Sequence, residues 1–223
     1  MGFDLMYIAA ALPAIIIALA LHEYGHAAMA TKMGDPTPRM QGRLTLNPIA
    51  HLDPMGTVFI LITLFMGFGF GWGKPVQTNP SYFTDYRKGR ILVAIAGPAM
   101  NLCLMLMAIG VSFIIFKSGA PLPSFVHMML AVFVMINLVL MVFNLLPIPP
   151  LDGGHVLEMM LPWDLRAKFQ SYAQFGFLIL IGLMMFRVLG VIINFFVGIL
   201  LNLVSIGFGA DFAYFLVAPF IPE

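Results

Sequence analysis

The sequence contains few charged residues. Asp, Glu, Lys and Arg together make up 9% of its 223 residues, whereas typical globular proteins have about 25%. Hydrophobic residues reach 61%, and the mean hydropathy is +0.98. This composition excludes an ordinary water-soluble protein, so we interpret the chain as an integral membrane protein. The net charge of +1 and the lack of a basic stripe exclude a nucleic-acid partner.

Cysteine is almost absent, since Cys103 is the only one. A single cysteine excludes both an intramolecular disulfide and a zinc ribbon built from several cysteines. We interpret Cys103 as a small buried side chain within a helix. The first apolar run also lacks the basic start of a cleaved signal peptide and is preceded by Asp4, so we expect it to be a membrane helix of the protein.

Long apolar runs predict transmembrane helices, each of which needs about 20 mainly apolar residues. Three runs are long enough for one helix each, and the last is long enough for two: 5–30, 91–116, 125–147 and 172–221. Within the last run we expect a turn at 186–190, where Gly190 permits a bend. The sequence therefore predicts an all-α polytopic membrane protein with about five transmembrane helices. We expect a single membrane-embedded domain over 1–223, with its core at 5–155 and C-terminal helices at 172–221.

The apolar segment 55–72 is ambiguous, because Gly67, Gly69 and Gly71 weaken a helix in its second half. It can span the membrane as a sixth helix, or it can re-enter and return to the same side. Of the ten basic residues that precede the C-terminal turn, nine share one side if the segment returns, whereas six face four if it spans. The positive-inside rule favours the returning arrangement and makes the nine-residue side cytoplasmic.

Two short stretches look extended rather than helical. RLTLNP (43–48) and PVQTNP (75–80) both end in Asn-Pro, and proline disfavours a helical conformation in the residue before it. We expect them to pair as a small membrane-associated β element at the cytoplasmic face.

The first apolar run contains an unusual polar cluster, HEYGH, at residues 22–26. His22 and His26 are four residues apart and therefore lie on the same face of a helix. This spacing lets two imidazoles bind one Zn²⁺, while Glu23 can act as a general base towards a water molecule. A lone match to this pattern is weak evidence. However, ionisable residues at membrane depth cost about 2.5–3.5 kcal/mol each on insertion scales, and metal binding would compensate that cost.

A catalytic zinc ion usually has three protein ligands. The best third candidate is Asp152, in the sequence NLLPIPPLDGG (144–154). The prolines end the preceding helix, and Gly153 and Gly154 allow the carboxylate to turn inward. The same sequence is also typical of a simple loop turn.

The remaining histidines have other expected roles. We expect a structural role for His51, which lies in a loop, and an interfacial position for His127, which starts an apolar run. His155 follows the two glycines, so it either donates a hydrogen bond to Asp152 or lies on the surface.

Taken together, these motifs resemble the site-2 protease family of intramembrane zinc metalloproteases. The resemblance rests on HEYGH in an apolar helix, AGPAMN (96–101) at the start of a later helix, and NLLPIPPLDGG. NPIAHLDPMGT (47–57) and GWGKPVQTNP (71–80) further resemble the compact prokaryotic branch of that family, which lacks PDZ and CBS domains.

The resemblance implies a role for individual residues. One Zn²⁺ per chain would be held by His22, His26 and Asp152, and Glu23 would be the catalytic acid and base. Asn144 would bind the substrate backbone or the oxyanion.

Gly97 and Asn101 match a GxxxN pattern that is thought to line the site in this family. Packing of a small residue and one polar contact between helices explains the same pattern equally well.

The implied function is hydrolysis of a peptide bond within or near a transmembrane segment of a membrane-protein substrate. The implied location is a prokaryotic cell membrane, with the active site towards the cytoplasm. The two extended stretches would hold an unwound substrate by edge pairing. Two alternatives remain: a polytopic zinc transporter or metal-binding membrane protein with the same ligands, which would not need Glu23, and an inactive scaffold, against which an intact Glu23 argues.

Overall fold

The computed structural model describes residues 5–66 and 71–221, and these residues form a bundle of α-helices. The helices are α1 (Leu5–Lys32), α2 (Thr37–Met40), α3 (Pro54–Met66), α4 (Tyr86–Ser118), α5 (Ser124–Asn144), α6 (Asp152–Met160), α7 (Trp163–Ala173), α8 (Gly176–Met185), α9 (Val188–Phe208) and α10 (Ala210–Val217). Short 3₁₀ turns cover Pro48–His51, Pro80–Tyr82 and Ala218–Phe220. The prediction of an all-α protein is confirmed.

Four helices, α1, α4, α5 and α9, are long and apolar enough to cross a membrane. The chain is therefore an integral membrane protein, with four such helices in its described part rather than about five. The C-terminal run, which was expected to supply two spans, forms α9 and two shorter helices, α8 and α10. A turn separates α8 from α9 as predicted. Arg187 makes it with a left-handed backbone (φ 59°), whereas Gly190 lies inside α9.

Helix α3 belongs to a segment that turns back on itself. Its 13 residues extend over about 20 Å, which is less than the ~30 Å of a hydrocarbon core. Leu52, before the helix, forms an antiparallel bridge with Gly73, so the two ends of the segment lie side by side. Of the two arrangements that the sequence allows for 55–72, this geometry is the returning one. Gly67 and Gly69 lie outside the described residues.

The predicted β element, formed by 43–48 and 75–80, is wrong. Across 5–66 and 71–221 an isolated bridge is the only β pairing, and it lies outside both stretches. The first stretch leads into a 3₁₀ turn, because the side chain of Asn47 accepts a hydrogen bond from the backbone N–H of Ile49.

The second stretch is held by carboxylates rather than by a neighbouring strand. The backbone N–H of Val76 donates to Glu23 Oε2 at 2.8 Å, and that of Asn79 donates to Asp35 Oδ2 at 2.6 Å. Both ends of the stretch are prolines, which have no N–H to donate. Two of the four N–H groups of this stretch are thus bound to carboxylates, and within the described residues the stretch forms no β pairing.

Small side chains bring α1 close to its neighbours. Three alanines of α1 pack against Met128 and Val132 of α5. Gly25 contacts α4 so closely that a Cβ atom there would lie 2.7 Å from the carbonyl oxygen of Ala96. This close approach turns the polar cluster of α1 towards α4. Cys103 lies in α4 as predicted, but its side chain is exposed rather than buried.

Candidate metal centre

Three potential metal ligands come together between α1, α4 and α6. His22 and His26 lie on successive turns of α1, and their Nε2 atoms are 3.0 Å apart. Asp152 is the first residue of α6, and its Oδ2 atom lies 3.3 Å from His22 Nε2 and 3.4 Å from His26 Nε2. Residues 126 positions apart in sequence (152 − 26) thus share one site.

Each imidazole is oriented by a hydrogen bond at its other nitrogen. His22 Nδ1 lies 2.7 Å from Asn101 Oδ1, and His26 Nδ1 lies 2.7 Å from the carbonyl oxygen of Val93. Because amide and carbonyl oxygens only accept hydrogen bonds, both Nδ1 atoms carry the proton. When the rings are neutral, both Nε2 atoms therefore present lone pairs to the space that they share with Asp152.

The donor set fits a zinc ion. Two nitrogen lone pairs 3.0 Å apart beside a carboxylate repel one another unless a proton or a metal cation lies among them. The Oδ2 atom of Asp152 is buried and has no hydrogen-bond partner, although buried acceptors are normally satisfied. The three ligand atoms all lie within 4.8 Å of one another. Two imidazole nitrogens and one carboxylate oxygen are typical of catalytic zinc, which keeps a further position open.

Glycines make room for this centre on two neighbouring helices. A Cβ atom on Gly97 of α4 would lie 2.4 Å from His26 Nε2 and 2.6 Å from His22 Cε1. A Cβ atom on Gly153 of α6 would lie 2.2 Å from the carbonyl oxygen of Leu145. Glycine at these positions therefore permits the close approach of α4 to the histidines and of α6 to the end of α5.

Glu23 lies in the wall of a cavity that also contains the three candidate ligands. The cavity measures about 680 Å³. Glu23 Oε2 accepts a hydrogen bond from the backbone N–H of Val76 at 2.8 Å. This bond ties the carboxylate to the stretch that covers one side of the cavity.

Asn144 and His155 line the same cavity. Asn144 ends α5, and its Nδ2 atom donates to the carbonyl oxygen of Leu140 at 2.9 Å. The Nδ1 atom of His155 lies 3.4 Å from an Arg90 nitrogen and 3.9 Å from a Glu158 oxygen, so the ring faces this charged pair. Burial, followed by the positive charge of Arg90, lowers the pKa of His155 below its ordinary value.

The other two histidines bind backbone carbonyl groups elsewhere. His51 is fully buried and donates from Nε2 to the carbonyl oxygen of Thr45 at 2.9 Å. His127 donates from Nε2 to the carbonyl oxygen of Phe215 at 2.7 Å. Neither residue lines the cavity that contains the candidate ligands.

Two backbone groups of the site were missed from the sequence: the N–H of Val76, which holds Glu23, and the carbonyl of Val93, which holds His26. Every residue except proline carries both groups, so the side-chain pattern contains no signal for them. Only the fold brings them to the site.

A second cavity of about 370 Å³ adjoins the first. Its lining is mainly apolar and comes from α1, α3, α5, α8 and α9. Four residues line both cavities: Leu19, Gly71, Leu140 and Phe143. The space around the candidate ligands thus continues into an apolar space between the helices.

Comparison with known proteins gives consistent matches. The model of Peptidase family M50 matches residues 113–189, which include Asn144 and Asp152. Several relatives carry the name "Putative zinc metalloprotease", among them the following two. YwhC of Bacillus subtilis is 40% identical over 169 residues, which cover 74% of this chain and 75% of the relative. Rip2 of Mycolicibacterium smegmatis is 33% identical over 178 residues, which cover 76% of this chain and 64% of the relative. No solved structure matches the chain.

Proposed function

The chain belongs to peptidase family M50, the site-2 protease family of intramembrane zinc metalloproteases, and from this premise we propose how its own residues carry out hydrolysis. His22, His26 and Asp152 hold the zinc ion. When bound, zinc supplies Lewis-acid chemistry that makes water a good nucleophile near neutral pH. The observation that carries the proposal is the convergence of two imidazole nitrogens and one carboxylate oxygen, all within 4.8 Å of one another. A zinc transporter is not favoured, because the matched relatives are named metalloproteases.

Glu23 is the proposed general base and general acid. It is adjacent in sequence to His22, and its carboxylate lies in the cavity wall. The carboxylate accepts a proton from the attacking water and then gives it to the amine nitrogen that leaves the scissile bond. The N–H of Val76 engages Oε2, and we assign the proton transfers to Oε1.

Asn144 is the proposed donor to the oxyanion that forms at the scissile carbonyl. Its side-chain NH₂ group has two hydrogens, and one of them is used by the carbonyl of Leu140. The second is available to a substrate in the cavity that Asn144 lines. A fixed donor aimed at developing negative charge stabilises the transition state.

The proposed substrate is a locally unwound transmembrane segment of another membrane protein. A helix keeps its carbonyl groups in internal hydrogen bonds, so the scissile bond becomes accessible only after unwinding. The cavity with Glu23 and Asn144 receives this extended portion. The adjoining apolar cavity of about 370 Å³ receives an apolar side chain on the membrane side of the cut.

The proposed orientation places the metal centre towards the cytoplasm. The support is the asymmetry of basic residues, nine of ten on one side for a returning 55–72 segment. Tagging the loop 119–123, which follows Lys117 at the end of α4, for labelling from outside the cell tests this orientation, since the loop should be reached without permeabilising the membrane.

The test of the proposed function separates chemistry from metal binding. We compare wild type with Glu23→Gln and with a control, Asp164→Asn, which changes an exposed carboxylate on α7. Each purified protein is incubated with a panel of single-span substrates, with and without a chelator. We expect E23Q to retain zinc and to lose cleavage by about 10²–10⁴-fold, as for removal of a general acid or base. D164N should match wild type, and the chelator should stop cleavage by both. Wild-type cleavage by E23Q, or zinc transport into liposomes without any cleavage, would refute the proposal.

A further inference from the structure

A buried chain of hydrogen bonds runs from the metal centre into the core of the bundle. It begins with His22 Nδ1 and Asn101 Oδ1, 2.7 Å apart. Asn101 Nδ2 then donates to Asn137 Oδ1 at 3.0 Å. Both asparagines have 0% of their surface exposed. Asn137 lies on α5 and does not line the cavity that contains the ligands.

Backbone carbonyl groups show which way each amide is turned. Asn101 Nδ2 also donates to the carbonyl oxygen of Ala18 at 3.3 Å, and Asn137 Nδ2 donates to that of Phe133 at 2.8 Å. A carbonyl oxygen only accepts, so each amide must turn its NH₂ group towards its carbonyl partner. The oxygen of Asn137 consequently faces Asn101, and the oxygen of Asn101 faces His22.

We propose that Asn137 is a positioning residue for the zinc site, acting through Asn101 on His22. By accepting from Asn101 Nδ2, it keeps the oxygen of Asn101 directed at His22 Nδ1. The proton of His22 then stays on Nδ1, and the Nε2 lone pair is available to zinc. A flipped amide on Asn101 would place an N–H group against Nδ1 and favour the tautomer protonated at Nε2, which cannot bind the metal.

The competing explanation is that Asn137 only joins helices. Polar side chains in membrane bundles commonly hydrogen-bond across helix interfaces, and Asn137 links α5 to α4 in this way. A purely structural residue would affect thermal stability without changing the affinity of the folded protein for zinc. The two explanations therefore differ in one measurable quantity.

The experiment measures that affinity directly. The proteins compared are wild type, Asn137→Leu and Leu138→Ala, each freed of zinc. Each is titrated with Zn²⁺ in competition with a chromophoric chelator, and separately with Co²⁺ to record the ligand-field spectrum. Leu138 is the next residue of α5, is 3% exposed and has an apolar side chain, so L138A controls for damage to packing. We expect N137L to bind Zn²⁺ about 10–100-fold more weakly, as is usual when a partner behind a ligand is lost. L138A should bind as wild type does. If N137L does not fold, Asn137→Ala replaces it in the same titration.

A rescue variant tests the hydrogen bond itself. In Asn137→Asp the carboxyl oxygen still accepts from Asn101 in either protonation state, and a protonated carboxyl also donates to the carbonyl of Phe133. We expect N137D to bind Zn²⁺ within about threefold of wild type, well inside the 10–100-fold loss expected for N137L.

The outcomes separate this inference from the proposed function on which it rests. If wild type binds zinc and N137L binds it equally well, only the positioning role is refuted. N137D binding as weakly as N137L would also refute it, because the acceptor would be present without effect. If wild type binds no zinc at all, the proposed function itself fails, and this inference fails with it.

Discussion

Replacing Gly97 by alanine should damage the metal centre by a predictable displacement. The added Cβ would lie 2.4 Å from His26 Nε2 and 2.6 Å from His22 Cε1, whereas ordinary contacts begin near 3.4 Å. The histidines or α4 must therefore move by about 1 Å (3.4 − 2.4). Shifts of this size can reduce a reaction rate about 100-fold, and loss of ligand geometry weakens metal binding about 10–100-fold. We expect G97A to lose both zinc affinity and activity on this scale.

The matched control lies in the same helix. A Cβ atom on Gly110 would have no neighbouring heavy atom within 4 Å, so G110A makes the same chemical change without a clash. Zinc affinity by chelator competition and cleavage of a single-span substrate are measured for both variants. G110A should match wild type. Wild-type zinc affinity in G97A would show that α4 does not confine the histidines as described.

Two further variants test the supports around the site. Val76→Pro removes the N–H that holds Glu23 Oε2 and should lower cleavage about 10-fold or more at unchanged zinc content, because a hydrogen bond to a charged group contributes about 1.5–3 kcal/mol. Val76→Ala keeps the N–H and should cleave the substrate at the wild-type rate. Equal cleavage rates for the two variants would contradict this role of the N–H. Gly153→Ala places a Cβ 2.2 Å from the carbonyl oxygen of Leu145, which should shift the start of α6 and weaken zinc binding through Asp152. Gly182→Ala is the control, because a Cβ there would have no heavy atom within 4 Å. Unchanged zinc affinity in G153A would contradict the close approach of α6 to Leu145.

The sequence predicted the part of the site that depends on local spacing. The histidines of α1 are one helical turn apart, which is a property of any helix and needs no tertiary information. Asp152 was a candidate because prolines precede it and glycines follow it, a pattern that predicts a turn. In the structure the two glycines instead lie in the first turn of α6, which begins at Asp152. The structure brings these three side chains together. Their roles as zinc ligands remain a prediction until a metal is measured.

The features of the fold and of the site that depend on tertiary structure could not be predicted from the sequence. The stretch 75–80 has the composition of a strand, but Glu23 and Asp35 accept hydrogen bonds from two of its four N–H groups, and this competition is visible only in three dimensions. Cys103 lies on an outward face of α4, and the apolar residues on all sides of that helix hide which face is inward. Asn137 gave no signal either, because it belongs to no motif and acts through another residue.

The C-terminal helices show a related limit. Hydropathy alone allows two spans in 172–221, yet α8 has 10 residues and α9 has 21. The division is set by Arg187, which takes a left-handed backbone conformation that is rare for any residue except glycine. The neighbouring Gly190 is the obvious candidate for such a turn, so the sequence points to the right region and to the wrong residue.

The most direct test of the account is the zinc K-edge X-ray absorption spectrum of the purified protein in detergent. It should contain scattering from two imidazole rings with Zn–N distances of about 2.0–2.1 Å, together with oxygen ligands at similar distances. A spectrum with sulfur scattering, or with fewer than two imidazoles, would contradict the assignment of the ion to His22, His26 and Asp152.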